Sequence, residues 1–182
     1  MALVNSKRLS LGSPIIDFSL MEVSGNRYSL SNFDESTIFV IVFTCNHCPY
    51  AQAIENRLID LQNKYADDSV QVIAINSNDA FNYPDDSFEN MQVISEEKNY
   101  PFLYLFDETQ NVAISYNAQC TPDLYVYDYD RKLAYHGRFD DNWQNPDEVK
   151  SHDLEDAIKA IIKSEYVNAD QKPSMGCSIK WK

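Results

Sequence analysis

The sequence contains no apolar run approaching the roughly 18 residues of a membrane span. Its first residues, Met1 to Leu9, contain no apolar core of a secretory signal. It also has no Lys/Arg cluster, since 15 basic residues stand against 28 acidic ones and the net charge is −13. Such a surface repels phosphate backbones and anionic membranes. These absences predict a cytoplasmic protein that binds neither nucleic acid nor membrane.

Cysteines are also few, because four among 182 residues are too scattered for a disulfide scaffold. Two of them form a Cys-x-x-Cys, which in a reducing compartment indicates redox or metal chemistry. The length and the absence of internal repeats predict a single domain over residues 1–182. Residues 1–12 are predicted to be a loose lead-in and residues 166–182 a C-terminal tail, part of which packs down.

The Cys-x-x-Cys lies in residues 43–50, Phe-Thr-Cys-Asn-His-Cys-Pro-Tyr, between two hydrophobic patterns. The unbroken apolar run before it, residues 37–43, is typical of a strand buried on both faces. After it, apolar residues recur at helical spacing as far as Tyr65. We therefore expect Cys45 and Cys48 at the junction of a strand and a helix, where helix N–H groups stabilise a thiolate.

The remaining patterns alternate between strand and helix. Residues 15–21 and 27–30 flank a Ser-Gly-Asn turn and predict an N-terminal β-hairpin. Residues 70–75 predict a strand parallel to 37–43. Further strands are expected at 102–106, 124–128 and 132–139, and helices at 88–99, around 112–116 and at 152–165. This order predicts an α/β fold, an α/β/α sandwich with a central mixed sheet that carries the cysteine motif.

Several short motifs, in order, resemble one family. They are Ser-Pro-Ile-Ile-Asp-Phe (13–18), the cysteine motif (43–50), Ile-Asn-Ser-Asn-Asp (75–79), Tyr-Pro-Asp-Asp-Ser (83–87), Cys-Thr-Pro-Asp (120–123) and Gly-Arg-Phe-Asp-Asp (137–141). Over roughly residues 12–141 the chain resembles the thioredoxin-like AhpC/TSA (redoxin) superfamily, in its peroxiredoxin-like thiol-disulfide oxidoreductase branch. Residues 176–181, Gly-Cys-Ser-Ile-Lys-Trp, look like the C-terminal signature of that branch. The resemblance implies a thioredoxin-like fold and a cis peptide bond before Pro122, beside the Cys-x-x-Cys.

The residues of the motif predict a thiol-disulfide oxidoreductase whose redox-active disulfide needs no other cofactor. We expect Cys45, placed at the helix N-terminus, to attack the substrate, and the more buried Cys48, one turn further in, to resolve the mixed disulfide. As a cation, His47 would stabilise the Cys45 thiolate and hence the reduced form; as an exposed helix-start residue it would have little effect. If His47 acts as a cation, we expect the reduction potential of the Cys45–Cys48 couple to lie between those of thioredoxin and of the most oxidising thioredoxin-fold proteins, ~−270 to −120 mV. Pro49 is expected in the first helical turn, where its missing N–H costs little.

Two alternatives stay open. Cys48 followed by Pro49 at a helix start is also the peroxidatic arrangement of peroxiredoxins, although Cys45 occupies the place where that family usually has Thr. The first alternative is therefore a thiol peroxidase that uses Cys48 or Cys45. The second is a metal-binding protein that holds zinc, copper or an iron–sulfur cluster through Cys45, Cys48 and either His47 or Cys177. A structural zinc site needs four ligands. This requirement disfavours the metal-binding alternative, and no metal is expected.

Two further cysteines and a proline loop complete the predicted redox region. Thr121 and Pro122 are expected to lie beside the motif, with Cys120 next to them as either a third redox thiol or a small buried residue. Cys177 is either a resolving thiol, a partner of Cys120 or a packing residue of the tail. The substrate is expected to be a protein or small-molecule disulfide or a hydroperoxide, with an unspecified reductant.

Polar residues from other loops are expected at the same edge of the sheet. Arg138, Asp140 and Asp141 either orient substrate and assist proton transfer or form ordinary loop salt bridges. Three residues that follow the strand 70–75 are expected to shape the cleft: Asn76, Asn78 and Asp79. His136 and His152 are predicted to be surface residues.

Overall fold

The computed structural model describes residues 3–33 and 37–182. Its strands are β1 (Leu3–Asn5), β2 (Ser19–Glu22), β3 (Arg27–Ser29), β4 (Ile38–Thr44), β5 (Val70–Asn76), β6 (Leu103–Phe106), β7 (Cys120–Thr121), β8 (Asp123–Tyr127), β9 (Leu133–Gly137) and β10 (Met175–Ser178). Its α-helices are α1 (Pro49–Lys64), α2 (Phe88–Glu97), α3 (Asn111–Ser115) and α4 (Asp153–Ile162). Within the described residues, no helix combines the length and the apolar character that a membrane crossing requires.

Seven strands form a mixed sheet in the order β3-β2-β6-β5-β4-β8-β9. β4 is parallel to β5, and β5 is parallel to β6. β8 is antiparallel to both β4 and β9. The predicted N-terminal hairpin is β2 paired with β3. The predicted βαβ unit and mixed sheet are therefore confirmed, with boundaries that differ from the expected ones by a few residues.

Central strand β4 is buried on both faces, as its unbroken apolar sequence predicts. Val40 and Val42 pack into a core that also holds apolar residues of α1, α2 and α4. Phe39, Ile41 and Phe43 point the other way, into a core that holds α3 and the segment before β2. All five are essentially inaccessible to water, and burying a side chain of this size stabilises a fold by ~1.5–3 kcal/mol. The two cores on either side of the sheet confirm the α/β/α sandwich.

A second, three-stranded sheet has the order β1-β10-β7. Its first strand, β1, lies in the region predicted to be a loose lead-in, so that prediction is wrong for residues 3–5; residues 1 and 2 lie outside the described residues. The predicted tail contributes β10. Ser6 N–H donates to Ser174 O at 2.9 Å and so extends the pairing between the two chain ends. In this sheet, Cys177 and Ser178 of β10 pair with Thr121 and Cys120 of β7.

Candidate active site

The cysteine motif forms the connection between β4 and α1. β4 ends at Thr44 and α1 begins at Pro49, so Cys48 is the N-cap residue, with extended backbone angles (φ −80°, ψ 119°). Cys45 directly follows the strand. The expectation that Cys45 itself lies at the helix N-terminus is therefore wrong, because the helix begins four residues later. The sequence carried the signal, since proline is favoured at the first helical position and so marks Cys48 as the N-cap.

Both sulfurs contact the predicted proline loop. Cys45 Sγ lies 3.3 Å from Thr121 Oγ1, and the Cys48 thiol donates to Thr121 O at 3.1 Å. The peptide bond between Thr121 and Pro122 is cis, as the resemblance implied. Cys48 is fully buried and Cys45 is 5% exposed, which is the order of burial expected from the sequence. One residue, Thr121, therefore touches both cysteines of the motif.

Hydrogen-bond donors around Cys48 lower the pKa of its thiol. The largest contribution is the hydrogen bond from the Cys45 thiol, which outweighs the opposing effect of burial. The Cys177 and Thr121 side chains and the Ala51 N–H add to it. The Thr121 carbonyl acts the other way, because it only accepts and so favours the protonated thiol. On balance these contacts lower the pKa of the Cys48 thiol and favour its thiolate form.

The pKa of the Cys45 thiol is raised well above its ordinary value. Its hydrogen bond to Cys48 contributes most, burial comes next, and the negative charge of Asp86 adds to both. The predicted stabilisation of a thiolate at the helix start therefore falls on Cys48. Cys45 is the slightly more exposed of the two residues.

His47 is turned towards a carboxylate. Its Nδ1 lies 2.6 Å from Asp86 Oδ2, and its ring stacks on Tyr83 with centroids 5.6 Å apart. Asp86 is fully buried, and it also accepts from Asn46 N–H and from Asn78 Nδ2, each at 2.7 Å. Asp86 was not predicted as a site residue, although it lies in the motif at 83–87. Nothing in the local pattern indicates its contact with a histidine 39 positions earlier.

The polar residues after β5 lie at the expected edge of the sheet. Asn76, Asn78 and Asp79 are all buried. Asn78 is the link between the site and the tail, since its Oδ1 accepts from Lys180 N–H at 2.9 Å while its amide holds Asp86. These side chains support the base of the site.

The other two cysteines lie on neighbouring strands of the smaller sheet, Cys120 on β7 and Cys177 on β10. Cys120 is fully buried, and its thiol donates to Pro122 O at 3.6 Å. Burial raises the pKa of Cys120, and the negative charges of Asp123 and Cys48 raise it further. Cys177 pairs with Thr121 across the strands and packs against Cys45 and Cys48. The structure thus brings Cys177, rather than Cys120, into contact with the motif.

The residues after β9 form salt bridges and loop contacts. Arg138 Nε donates to Asp153 at 2.9 Å, and Asp140 pairs with Arg57 of α1. Asp141 accepts from two backbone N–H groups of the loop at 150–151. The loop salt bridges expected under one of the two interpretations of this segment are therefore present. The same residues also line a cavity of about 350 Å³ next to Pro122, Tyr50 and Trp143.

One predicted surface residue is buried. His136 is 2% exposed, with Nε2 2.9 Å from Asp123 Oδ1 and its ring stacked on Tyr125. Leu9 N–H donates to its Nδ1, so the proton lies on Nε2 and points at the carboxylate. The prediction was wrong because β9 is covered on that face by the N-terminal segment. His152 is exposed, as predicted.

Three side chains could together hold a metal ion. The ligand atoms of Cys45, His47 and Asp86 lie within 4.8 Å of one another. Thiolate, imidazole and carboxylate are the ligand types that zinc accepts. Asp86 was not among the metal ligands considered from the sequence, whereas Cys48 and Cys177, which were, are not part of this group.

The comparisons agree with this geometry. The AhpC/TSA family matches residues 11–136, whereas no curated protein matches the chain. An uncharacterised conserved protein from Geobacillus kaustophilus is 44% identical, with a TM-score of 0.95 over 100% of this chain and 97% of that one. A hypothetical protein from Sinorhizobium meliloti is 38% identical, with a TM-score of 0.93 over 98% of both chains.

More distant structures share the fold alone. The thioredoxin domain of a thiol-disulfide oxidoreductase from Bacteroides vulgatus is 16% identical, with a TM-score of 0.66 over 85% of this chain and 99% of that one. The central sheet, the cysteines between β4 and α1 and the cis-proline loop agree with the family match, which spans more than half of the sequence. This chain belongs to the AhpC/TSA family.

Proposed function

We propose that this protein is a thiol-disulfide oxidoreductase in which Cys45 and Cys48 cycle between a dithiol and a disulfide. The observation that carries the proposal is the hydrogen-bonded pair of sulfurs that both touch Thr121, beside the cis bond to Pro122. Two thiols held in this way form a disulfide with little rearrangement, and they share one negative charge. The thiolate is the reactive species in thiol-disulfide exchange.

The exchange begins when Cys45 passes its proton to the Cys48 thiolate and attacks one sulfur of the substrate disulfide. The substrate S–S bond breaks, its departing sulfur takes a proton from water, and a mixed disulfide remains on Cys45. Cys48 then loses its proton to the second substrate sulfur and attacks Cys45 Sγ. The substrate leaves as two thiols, and the protein, which has given up two electrons, holds the Cys45–Cys48 disulfide. A thiol reductant closes the cycle by the reverse sequence.

Assigning the attack to Cys45 follows from access, because Cys48 Sγ is fully buried. Trapping tests this division of roles. After incubation with a small disulfide, Cys48→Ser is expected to hold a stable mixed disulfide on Cys45, whereas Cys45→Ser holds much less on Cys48. Cys120→Ser is the matched control, since it leaves both sulfurs of the motif in place. Trapping on Cys48 alone would reverse the assignment.

A second candidate, a thiol peroxidase, is favoured by one observation. Cys48 is the N-cap residue of α1, Pro49 follows it, and its pKa is lowered. A thiolate in this position can attack a hydroperoxide, become a sulfenic acid and be resolved by Cys45. Peroxide consumption by the reduced protein tests this directly. The initial rate should fall to background in Cys48→Ser if Cys48 is peroxidatic. Consumption that survives in Cys48→Ser would assign the attack to Cys45, and a wild-type rate at background would rule out the peroxidase.

A further inference from the structure

The C-terminal tail places a third cysteine at the proposed redox site. β10 pairs antiparallel with β7, and Cys177 lies directly opposite Thr121. Directly opposite residues of an antiparallel pair project from the same face of the sheet. Thr121 uses that face to touch Cys45, since its Oγ1 lies 3.3 Å from Cys45 Sγ. The Cys177 side chain therefore projects towards the cysteine motif.

The contacts of Cys177 confirm this direction. Cys177 is 3% exposed and packs in one small buried cluster with Cys45, Cys48 and Ala51. Its side chain is hydrogen-bonded to Cys48. Cys48 thus has a thiol on either side, Cys45 from its own motif and Cys177 from the tail.

The tail is fixed in this position along its length. Ser174 Oγ donates to Gly137 O at 2.6 Å, and Ile179 N–H donates to Gln119 O at 3.1 Å. Asp79 N–H donates to Lys180 O at 2.8 Å. Gly176 allows the close approach, because a Cβ at that position would lie 2.0 Å from Thr121 O. Any side chain at 176 would push β10 away from the proline loop.

We propose that Cys177 is a third redox thiol, which exchanges with the Cys45–Cys48 disulfide to form a Cys48–Cys177 disulfide. The proposal rests on the dithiol cycle proposed above. In the exchange, Cys177 Sγ attacks Cys48 Sγ, the bond between Cys45 and Cys48 breaks, and the proton of Cys177 passes to the released Cys45 sulfur. One S–S bond replaces another, so no further oxidant or reductant enters. The step returns Cys45 to the thiol form while the protein remains oxidised by two electrons, with the disulfide now between Cys48 and Cys177.

Disulfide mapping in the full-length chain tests the Cys48–Cys177 pairing on which this exchange depends. Cys45→Ser protein is oxidised with cystamine, remaining thiols are alkylated, and the linked peptides are identified by mass spectrometry. A Cys48–Cys177 disulfide is the expected main product, and it should persist in Cys45→Ser/Cys120→Ser. Cystamine adducts on Cys48 without a link to Cys177, or a link from Cys48 to Cys120, would overturn the proposal.

Gly176→Ala provides a second, independent test. Added to Cys45→Ser, it is expected to abolish the Cys48–Cys177 link by displacing β10; an undiminished link would contradict the geometry. On the wild-type background, Gly176→Ala should still form the Cys45–Cys48 disulfide. Cys177→Ser treated in parallel separates the two proposals, because the exchange cannot consume its Cys45–Cys48 disulfide. If this variant forms no Cys45–Cys48 disulfide, the dithiol cycle fails, whereas a missing Cys48–Cys177 link in Cys45→Ser removes only the role of Cys177.

Discussion

Removal of the Asp86 charge should make the Cys45–Cys48 disulfide more oxidising. Asp86 is fully buried, and its carboxylate raises the pKa of the Cys45 thiol, which means that it opposes a thiolate in the reduced protein. Asp86→Asn removes that repulsion and keeps an oxygen that can accept from Asn46 N–H. Because stabilising the reduced form raises the potential of the couple, the potential should increase. The variant is best made on a His47→Ala background, since His47 lies 2.6 Å from the carboxylate and masks part of its charge.

The distance sets the size of the effect. The relevant atoms of Cys45 and Asp86 lie within 4.8 Å, at which two unit charges interact with ~3.5 kcal/mol for an effective dielectric constant of ~20. For a two-electron couple this corresponds to ~75 mV if the whole charge lies on Cys45. The charge is shared between the two sulfurs, so an increase of ~20–70 mV is expected between His47→Ala and His47→Ala/Asp86→Asn.

Equilibration in redox buffers at neutral pH, with thiols counted after alkylation, measures both potentials. Asp79→Asn on the same background is the matched control, because Asp79 is a buried carboxylate at the same edge that lies outside the group formed by Cys45, His47 and Asp86. It should change the potential much less. An unchanged or lower potential in the Asp86→Asn variant would refute the electrostatic reasoning.

Two further predictions concern the Cys48 thiolate and the salt bridges near the site. Because the pKa of Cys48 is lowered, reduced protein at neutral pH should show the ultraviolet absorbance of one thiolate. This signal should fade as the pH drops through that pKa and be absent at neutral pH in Cys48→Ser. Arg57→Met leaves the buried Asp140 without its partner, so urea unfolding should show a loss of ~3–5 kcal/mol. Arg138→Met removes the more exposed pair with Asp153 and should cost at most ~1 kcal/mol; similar losses for both variants would contradict the difference in burial.

Much of the fold could be predicted because its strongest signals are local. The unbroken apolar run of β4 and the helical spacing from Ala51 to Tyr65 each identify one element without reference to the rest of the chain. The order of such elements then limits the sheet to few arrangements. The cysteine motif was found for the same reason, since it lies between two strong local patterns.

The features that were missed depend on contacts distant in sequence. β10 contains four residues, including a glycine, and its pairing with β7 joins residues more than fifty positions apart. A short strand of this kind has no periodic signal of its own. His136 looked like a surface residue because its partner Asp123 and its cover from Leu9 come from other segments. Asp86 was missed as a site residue for the same reason, because its partners Asn46 and His47 lie in a distant segment of the sequence.

The central claim is that Cys45 and Cys48 form a reversible disulfide. Its most direct test is a redox titration of full-length Cys177→Ser protein in thiol–disulfide buffers that span the expected range, with the linked cysteines identified by mass spectrometry at each step. The account predicts one two-electron transition that joins Cys45 to Cys48, with a midpoint between ~−270 and −120 mV. If both cysteines remain alkylatable under buffers that oxidise thioredoxin itself, the account is contradicted.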